Sequence, residues 1–185
     1  MVMDRIQALE ELMGRLTNRK LIRHSLAVEA IMRELAEHFK EDANKWAMAG
    51  LLHDIDYDRT ASNMAMHGIV AADILETLGV DDEIVYAVKA HNACHGIPRN
   101  RRIDKALYAA NAVSGFILEE APALPSGKLE EANGKALLEK LKEESFRREE
   151  GRELLTGCNE LGMPPEELVD IALGAVKKIS GEPGI

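Results

Sequence analysis

Cysteine, aromatic rings and positive charge are all scarce in this 185-residue sequence. Two cysteines, Cys94 and Cys158, cannot build a disulfide framework, and their wide separation lacks the close pairing of a thiolate metal site. Seven aromatic residues (three Phe, three Tyr, one Trp) are too few for a platform on which single-stranded nucleic acid could stack. Lys and Arg number 23 against 32 Asp and Glu, a net charge of −9 that opposes binding to nucleic acid polymers or anionic lipid. The longest uncharged run, residues 106–118, contains Asn111, Ser114 and Gly115 and at 13 residues is too short to cross a bilayer. The start, Met1-Val2-Met3-Asp4-Arg5-Ile6, lacks the basic-then-apolar order of a secretory signal, so a cytoplasmic location is expected. No glycine-rich phosphate loop of the P-loop type occurs.

What the chain has is helical periodicity from end to end. Ile6, Leu9, Leu12 and Met13 predict a short first helix closed by Gly14. Asn18 is placed to cap a long second helix carrying Leu21, Ile22, Leu26, Val28, Ile31, Leu35 and Phe39. Asp42 caps a third, through Trp46, Leu51 and Leu52, and a polar turn follows. A fourth is expected from about His67 to Leu78, and Asp81 caps a fifth that ends before Gly96 and Pro98. The sixth spans about 104–118. Residues 122–127 (Pro-Ala-Leu-Pro-Ser-Gly) are the one plausible internal boundary, and the charge-rich stretch 119–155 reads as solvated helix and connection. Two last helices are expected, at 151–161 and after Pro165, with a fraying tail beyond Ser180. No alternating strand pattern is present. The expected fold is all-α: a helical core over 1–121 with a C-terminal helical extension, 122–185, packed on it as one domain.

The chemistry concentrates in histidines and carboxylates. In Gly50-Leu51-Leu52-His53-Asp54-Ile55-Asp56-Tyr57-Asp58, an adjacent His and Asp close an apolar helix. A buried ionised Asp is costly unless paired or bound to metal. Neighbouring helical side chains diverge by about 100°, so both reach one ion only if other elements close round it. The plainer alternative has Asp54 bonded to backbone donors and Asp56 and Asp58 solvated in the turn. His24, His67 and His91 lie on or at the ends of three further helices; each alone is as readily a core or capping histidine. His38 sits on a polar face, and His95 follows His91 by four residues where the helix has ended.

This ordered set, an early His, a His-Asp pair after small apolar residues, two more histidines and a late Ala109-Ala110-Asn111-Ala112-Val113-Ser114-Gly115 stretch, resembles the HD-domain superfamily of metal-dependent phosphohydrolases. It looks most like the predicted hydrolases of about this length in that superfamily, over nearly the whole chain. The resemblance implies an HD-type helical bundle with one divalent ion on His24, His53, Asp54 and position 111. It also implies a second ion on His67 and His91, with Asp54 bridging. Where the family pattern has Asp, this chain has Asn111. An amide oxygen can still ligate a hard ion but brings no charge, which weakens that first position.

The function so implied is metal-assisted hydrolysis of a small nucleotide or other phosphomonoester, using one or two ions of Mn, Fe, Mg, Ni or Zn. Asp54 is the central catalytic carboxylate. Nearness to the motif nominates Asp58 as proton acceptor, Lys89 as a catalytic and phosphate-holding cation, and Arg59 as a second phosphate contact. Ordinary surface charge is the alternative for these three. Two other functions fit the same residues: an HD-fold binding module that has lost turnover through Asn111, and a di-iron oxygenase of the kind found among HD relatives. Self-association into a homo-oligomer is left open.

Overall fold

The structure is a computed structural model that describes residues 3–120, 129–142 and 149–180. These form ten α-helices: α1 (Arg5–Met13), α2 (Arg19–Phe39), α3 (Ala43–Leu52), α4 (Tyr57–Thr60), α5 (Ile69–Thr77), α6 (Asp82–His91), α7 (Arg102–Glu120), α8 (Gly134–Lys142), α9 (Glu149–Leu161) and α10 (Pro165–Ile179). Short 3-10 turns cover Ala93–His95 and Leu129–Glu131, and no strand occurs among the described residues. Among the described residues, no helix is long and apolar enough to cross a membrane.

Side-chain caps set several of the starts. Asp4 accepts from the Gln7 N–H while Gln7 accepts from the Asp4 N–H, a reciprocal pair that opens α1. Asn18, Asp42 and Asp81 each accept from backbone N–H groups in the first turns of α2, α3 and α6. Such a cap contributes about 0.5–2 kcal/mol. Two expected boundaries move. The fourth expected helix begins at Ile69 rather than His67 because Gly68 sits at φ 85°, outside helical space. The polar turn after Asp56 contains the single-turn α4. The charged stretch 119–155 is also less solvated than expected, since α8 buries Leu137 completely. The 122–127 break, the 121/122 boundary and the tail beyond Ser180 lie outside the described residues.

α2 is the spine, packed against α3, α7 and α10, while α7 packs in turn on α6 and α9. Fully buried Ile31, Leu35, Leu51, Leu52, Leu107 and Ile117 fill the space between them. Each such side chain contributes roughly 1.5–3 kcal/mol. Two glycines set how near the helices approach. A Cβ on Gly50 would lie 2.7 Å from the Val28 carbonyl oxygen, and one on Gly157 would lie 2.8 Å from Ala109 Cα. The first contact seats the end of α3 on α2 one turn from His24. The second seats α9 on α7 two residues from Asn111.

Candidate metal centre

Four imidazoles surround one carboxylate where the ends of α3 and α6, the start of α5 and the faces of α2 and α7 meet. α3 stops at Leu52, and the turn through residues 53–56 drives His53 and Asp54 inward, leaving them 0% and 4% exposed. Asp54 Oδ1 lies 3.2 Å from His53 Nε2, 3.3 Å from His67 Nε2 and 3.6 Å from His91 Nε2. Its Oδ2 faces His24 Nε2 at 3.9 Å. Two triads, His24–His53–Asp54 and Asp54–His67–His91, each bring their ligand atoms within 4.8 Å of one another. All five residues expected to meet at one place do so.

Outer bonds fix which nitrogen of each ring faces the carboxylate. His53 Nδ1–H donates to the Gly50 carbonyl at 2.8 Å, and His91 Nδ1–H donates to the Val88 carbonyl at 2.6 Å. His67 Nδ1–H donates to Asp56 Oδ1 at 2.8 Å, while Asp56 Oδ2 accepts from the Gly68 and Ala71 N–H groups at 2.9 and 3.0 Å. One buried carboxylate therefore orients a histidine and satisfies buried N–H donors at the start of α5, which lacks a side-chain cap of its own. Asp56, 1% exposed, corrects the alternative that left it solvated in the turn.

The donor set fits a cation. With their Nδ1 protons committed, the inward nitrogens of the neutral rings carry lone pairs. His53 Nε2 is buried with no hydrogen-bond partner, and the His67 and His91 Nε2 atoms face each other at 3.2 Å. Lone pairs so arranged repel unless a proton or a metal ion sits among them. Without an ion, the proton among these nitrogens falls to His67. Burial opposes charge on His67, yet the bonds to Asp54 and Asp56 outweigh it and push its pKa up to about 9. Burial and the neighbouring His53 push His24 down to about 4, and burial also lowers His91. Although burial resists it, His53 and the facing histidines hold the Asp54 carboxyl well below the usual carboxylate range.

The centre opens into a cleft of about 320 Å³ walled by Leu21, Tyr57, Met64, Asn92, Ala93, Asn111 and Glu153. A larger groove of about 550 Å³ beside Met48, Val80 and Ile84 contains none of these histidines, so chemistry rather than size marks the site. Asn92 is a structural member of the wall, since its amide donates to the Met64 and His67 carbonyls. Asn111 Oδ1 accepts from His24 Nε2 at 2.8 Å, and Ser114 Oγ lies 3.3 Å from His24 Nδ1.

Three expected site residues are not brought to the cleft. Asp58 is exposed and accepts from the Thr17 N–H at 2.7 Å and the Thr17 hydroxyl at 2.8 Å. Arg59 lines a different groove with Arg15, Val70 and Asp73. Lys89 lies two residues before His91, about 200° round α6, and is not among the cleft residues. His38 stays on the surface near Glu167, at 3.7 Å. His95 Nε2 lies 2.7 Å from the His67 carbonyl oxygen, bracing the backbone behind the ligand. Glu153 on α9 carried no signal of its own, because only the packing of α9 on α7 places it there.

An HD domain model matches residues 21–174. The chain belongs to the HD domain family. Ribonuclease Y of Desulfotalea psychrophila is 34% identical over 110 residues, which are 57% of this chain and 21% of that protein. An uncharacterised protein of Methanocaldococcus jannaschii is 32% identical over 97 residues, 50% of this chain and 56% of that one. A tRNA (cytidine(56)-2'-O)-methyltransferase of Thermoplasma volcanium is 37% identical over 71 residues, 38% of this chain and 20% of that one. The chain thus spans about a fifth of the length of the ribonuclease Y it matches. No solved structure matches.

Proposed function

We propose that this protein is a metal-dependent phosphohydrolase acting on a small phosphomonoester such as a mononucleotide. The observation that carries the proposal is Asp54 Oδ1 lying 3.2, 3.3 and 3.6 Å from three inward imidazole nitrogens at the floor of an open cleft. Asp54, His67 and His91 would hold one divalent ion, and His24, His53 and Asp54, with Asn111 beside them, a second. Such an ion supplies charge neutralisation at phosphoryl oxygen and a water more acidic than bulk water.

The chain's own residues do the rest. Asp54 places a buried negative charge between the rings. Gly50, Asp56 and Val88 fix the rings' tautomers, so no reorientation is needed on binding. Leu21, Tyr57 and Met64 give the organic part of a substrate apolar surface and exclude water from one side of the phosphate. A small substrate is favoured over a polymer by the net charge of −9 and by a cleft of about 320 Å³. The relatives named for RNA match over a fifth of their length, which does not carry their substrate to this chain.

The test is phosphate release from an aryl phosphate and a mononucleotide panel with Mn, Mg, Fe, Ni or Zn added singly. Release that a chelator abolishes and that Asp54→Asn removes is the expected result. Metal binding without release from any substrate would instead identify a binding module.

A further inference from the structure

We propose that the two halves of this centre are unequal: one divalent ion binds tightly between Asp54, His67 and His91, while the side formed by His24, His53 and Asn111 binds weakly. The inference rests on the cluster being a divalent-metal centre, but not on hydrolysis. Asp54 is common to both halves, and His53, held by the Gly50 carbonyl, matches His91, held by the Val88 carbonyl, so the difference lies between His67 on one side and His24 with Asn111 on the other.

Behind His67 stands Asp56, a carboxylate buried to 1% exposure and bonded to Nδ1–H at 2.8 Å. That arrangement makes the opposite nitrogen a better donor and adds a second negative charge beside the ion. His91 is held in the same tautomer by the Val88 carbonyl. The two Nε2 atoms face each other at 3.2 Å, a spacing at which both can turn their lone pairs on one ion.

Behind His24 stands the neutral Ser114 hydroxyl, 3.3 Å from Nδ1. The ligand atom itself, Nε2, is engaged with Asn111 at 2.8 Å. To take an ion, His24 must move its proton to Nδ1 and give up that bond. With the Asn111 amide turned over, its N–H would occupy the same nitrogen, so the conclusion does not depend on the amide's orientation. Asn111 adds no charge in return. Removing even an outer partner of a metal ligand typically weakens binding about 10–100-fold, and here both a ligand charge and a strong outer partner are missing.

The experiment is a Mn(II) titration of chelator-stripped protein at fixed pH, followed by calorimetry and electron paramagnetic resonance, with elemental analysis after dialysis. The expected result is one ion per chain, with a second at least about 10-fold weaker. His67→Gln and His91→Gln should each weaken the tight ion by about 10-fold or more, while His24→Gln leaves it within about twofold. Asn111→Asp should tighten the second ion about 10-fold or more and give the exchange-coupled signal of a manganese pair, a gain that a misfolded variant cannot produce. The inference is overturned if His24→Gln removes the tight ion while His67→Gln spares it. Equal loss in all three variants, two ions of equal affinity in the native protein, or no bound ion would also overturn it. Because every readout is binding, absence of phosphate release would reject the hydrolase proposal and leave the order of sites standing.

Discussion

The floor of the cleft and its rim differ in how their residues are held. On the floor, His53, Asp54, Asp56, His67 and His91 are buried, and each histidine's outward nitrogen is bonded to a fixed acceptor. On the rim, Leu21, Tyr57, Met64 and Glu153 are partly or largely exposed and come from four separate parts of the chain. Burial makes the floor intolerant: a polar atom there loses its partner at a cost of roughly 1–3 kcal/mol, because water cannot substitute. The rim can change without that penalty. Metal retention should therefore answer to the floor, and substrate choice to the rim.

Asp56→Asn should break this division most severely. The amide keeps one oxygen for Gly68 and Ala71 or for His67, but cannot serve all three as the carboxylate does. Mn(II) affinity should fall about 10–100-fold. Thermal unfolding should show a loss of about 1–3 kcal/mol, since buried donors at the start of α5 are left unpaired. Retention of both affinity and stability would mean that Asp56 is a bystander.

Gly157→Ala separates the regions from the other side. The added methyl would meet Ala109 Cα and Cβ at 2.8 Å, so α9 must move off α7. Overpacking of this kind costs about 1–3 kcal/mol, offset by up to about 1 kcal/mol of helix propensity. α9 is also tied by Glu160, which takes two bonds of 2.7 Å from Arg99, itself stacked 3.8 Å over Tyr108. The melting temperature should fall by about 2–8 °C, while Mn(II) affinity stays within about twofold. A parallel loss of metal would show that floor and rim are one unit.

How much of this was legible beforehand follows the same line. The His53-Asp54 pair and the caps at Asn18, Asp42 and Asp81 are local signals, whereas the three remote histidines were ambiguous singly and gained meaning only as an ordered set. Asp56 was visible but ambiguous, because an acid two residues after Asp54 is equally good in water; only Gly68 and the start of α5 folding back give it buried donors. Lys89 and Arg59 misled for the opposite reason. They are near the motif in sequence, but Lys89 lies about 200° round α6 from His91. Glu153 could not be found, since its position depends on α9 reaching Ala109 through Gly157.

Glu153→Gln tests the rim directly. A carboxylate at the mouth repels an approaching phosphate, an effect across a water-filled cleft of roughly 0.5–1 kcal/mol. KM for an aryl phosphate should fall about two- to fivefold in the variant, with Mn(II) affinity within about twofold. A fall in kcat with KM constant would move Glu153 from the wall into the chemistry.

The smallest effect belongs to Asp58, beyond the rim altogether. Its carboxyl is held below the ordinary range, first by the Thr17 backbone N–H and then by the Thr17 hydroxyl. A depressed folded-state pKa contributes stability that is present above the unfolded value and lost as pH falls through the folded one. Asp58→Asn should therefore lower the melting temperature slightly at neutral pH, by no more than about 2 °C for an exposed contact. The gap between native protein and variant should close on acidification below the ordinary carboxylate range. Metal affinity and phosphate release should stay within about twofold at neutral pH, because the side chain fastens the entry to α2 rather than facing Asp54. A large loss of hydrolysis with melting temperature intact would return Asp58 to the role of proton acceptor and erase the boundary between the cleft and the surface beside it.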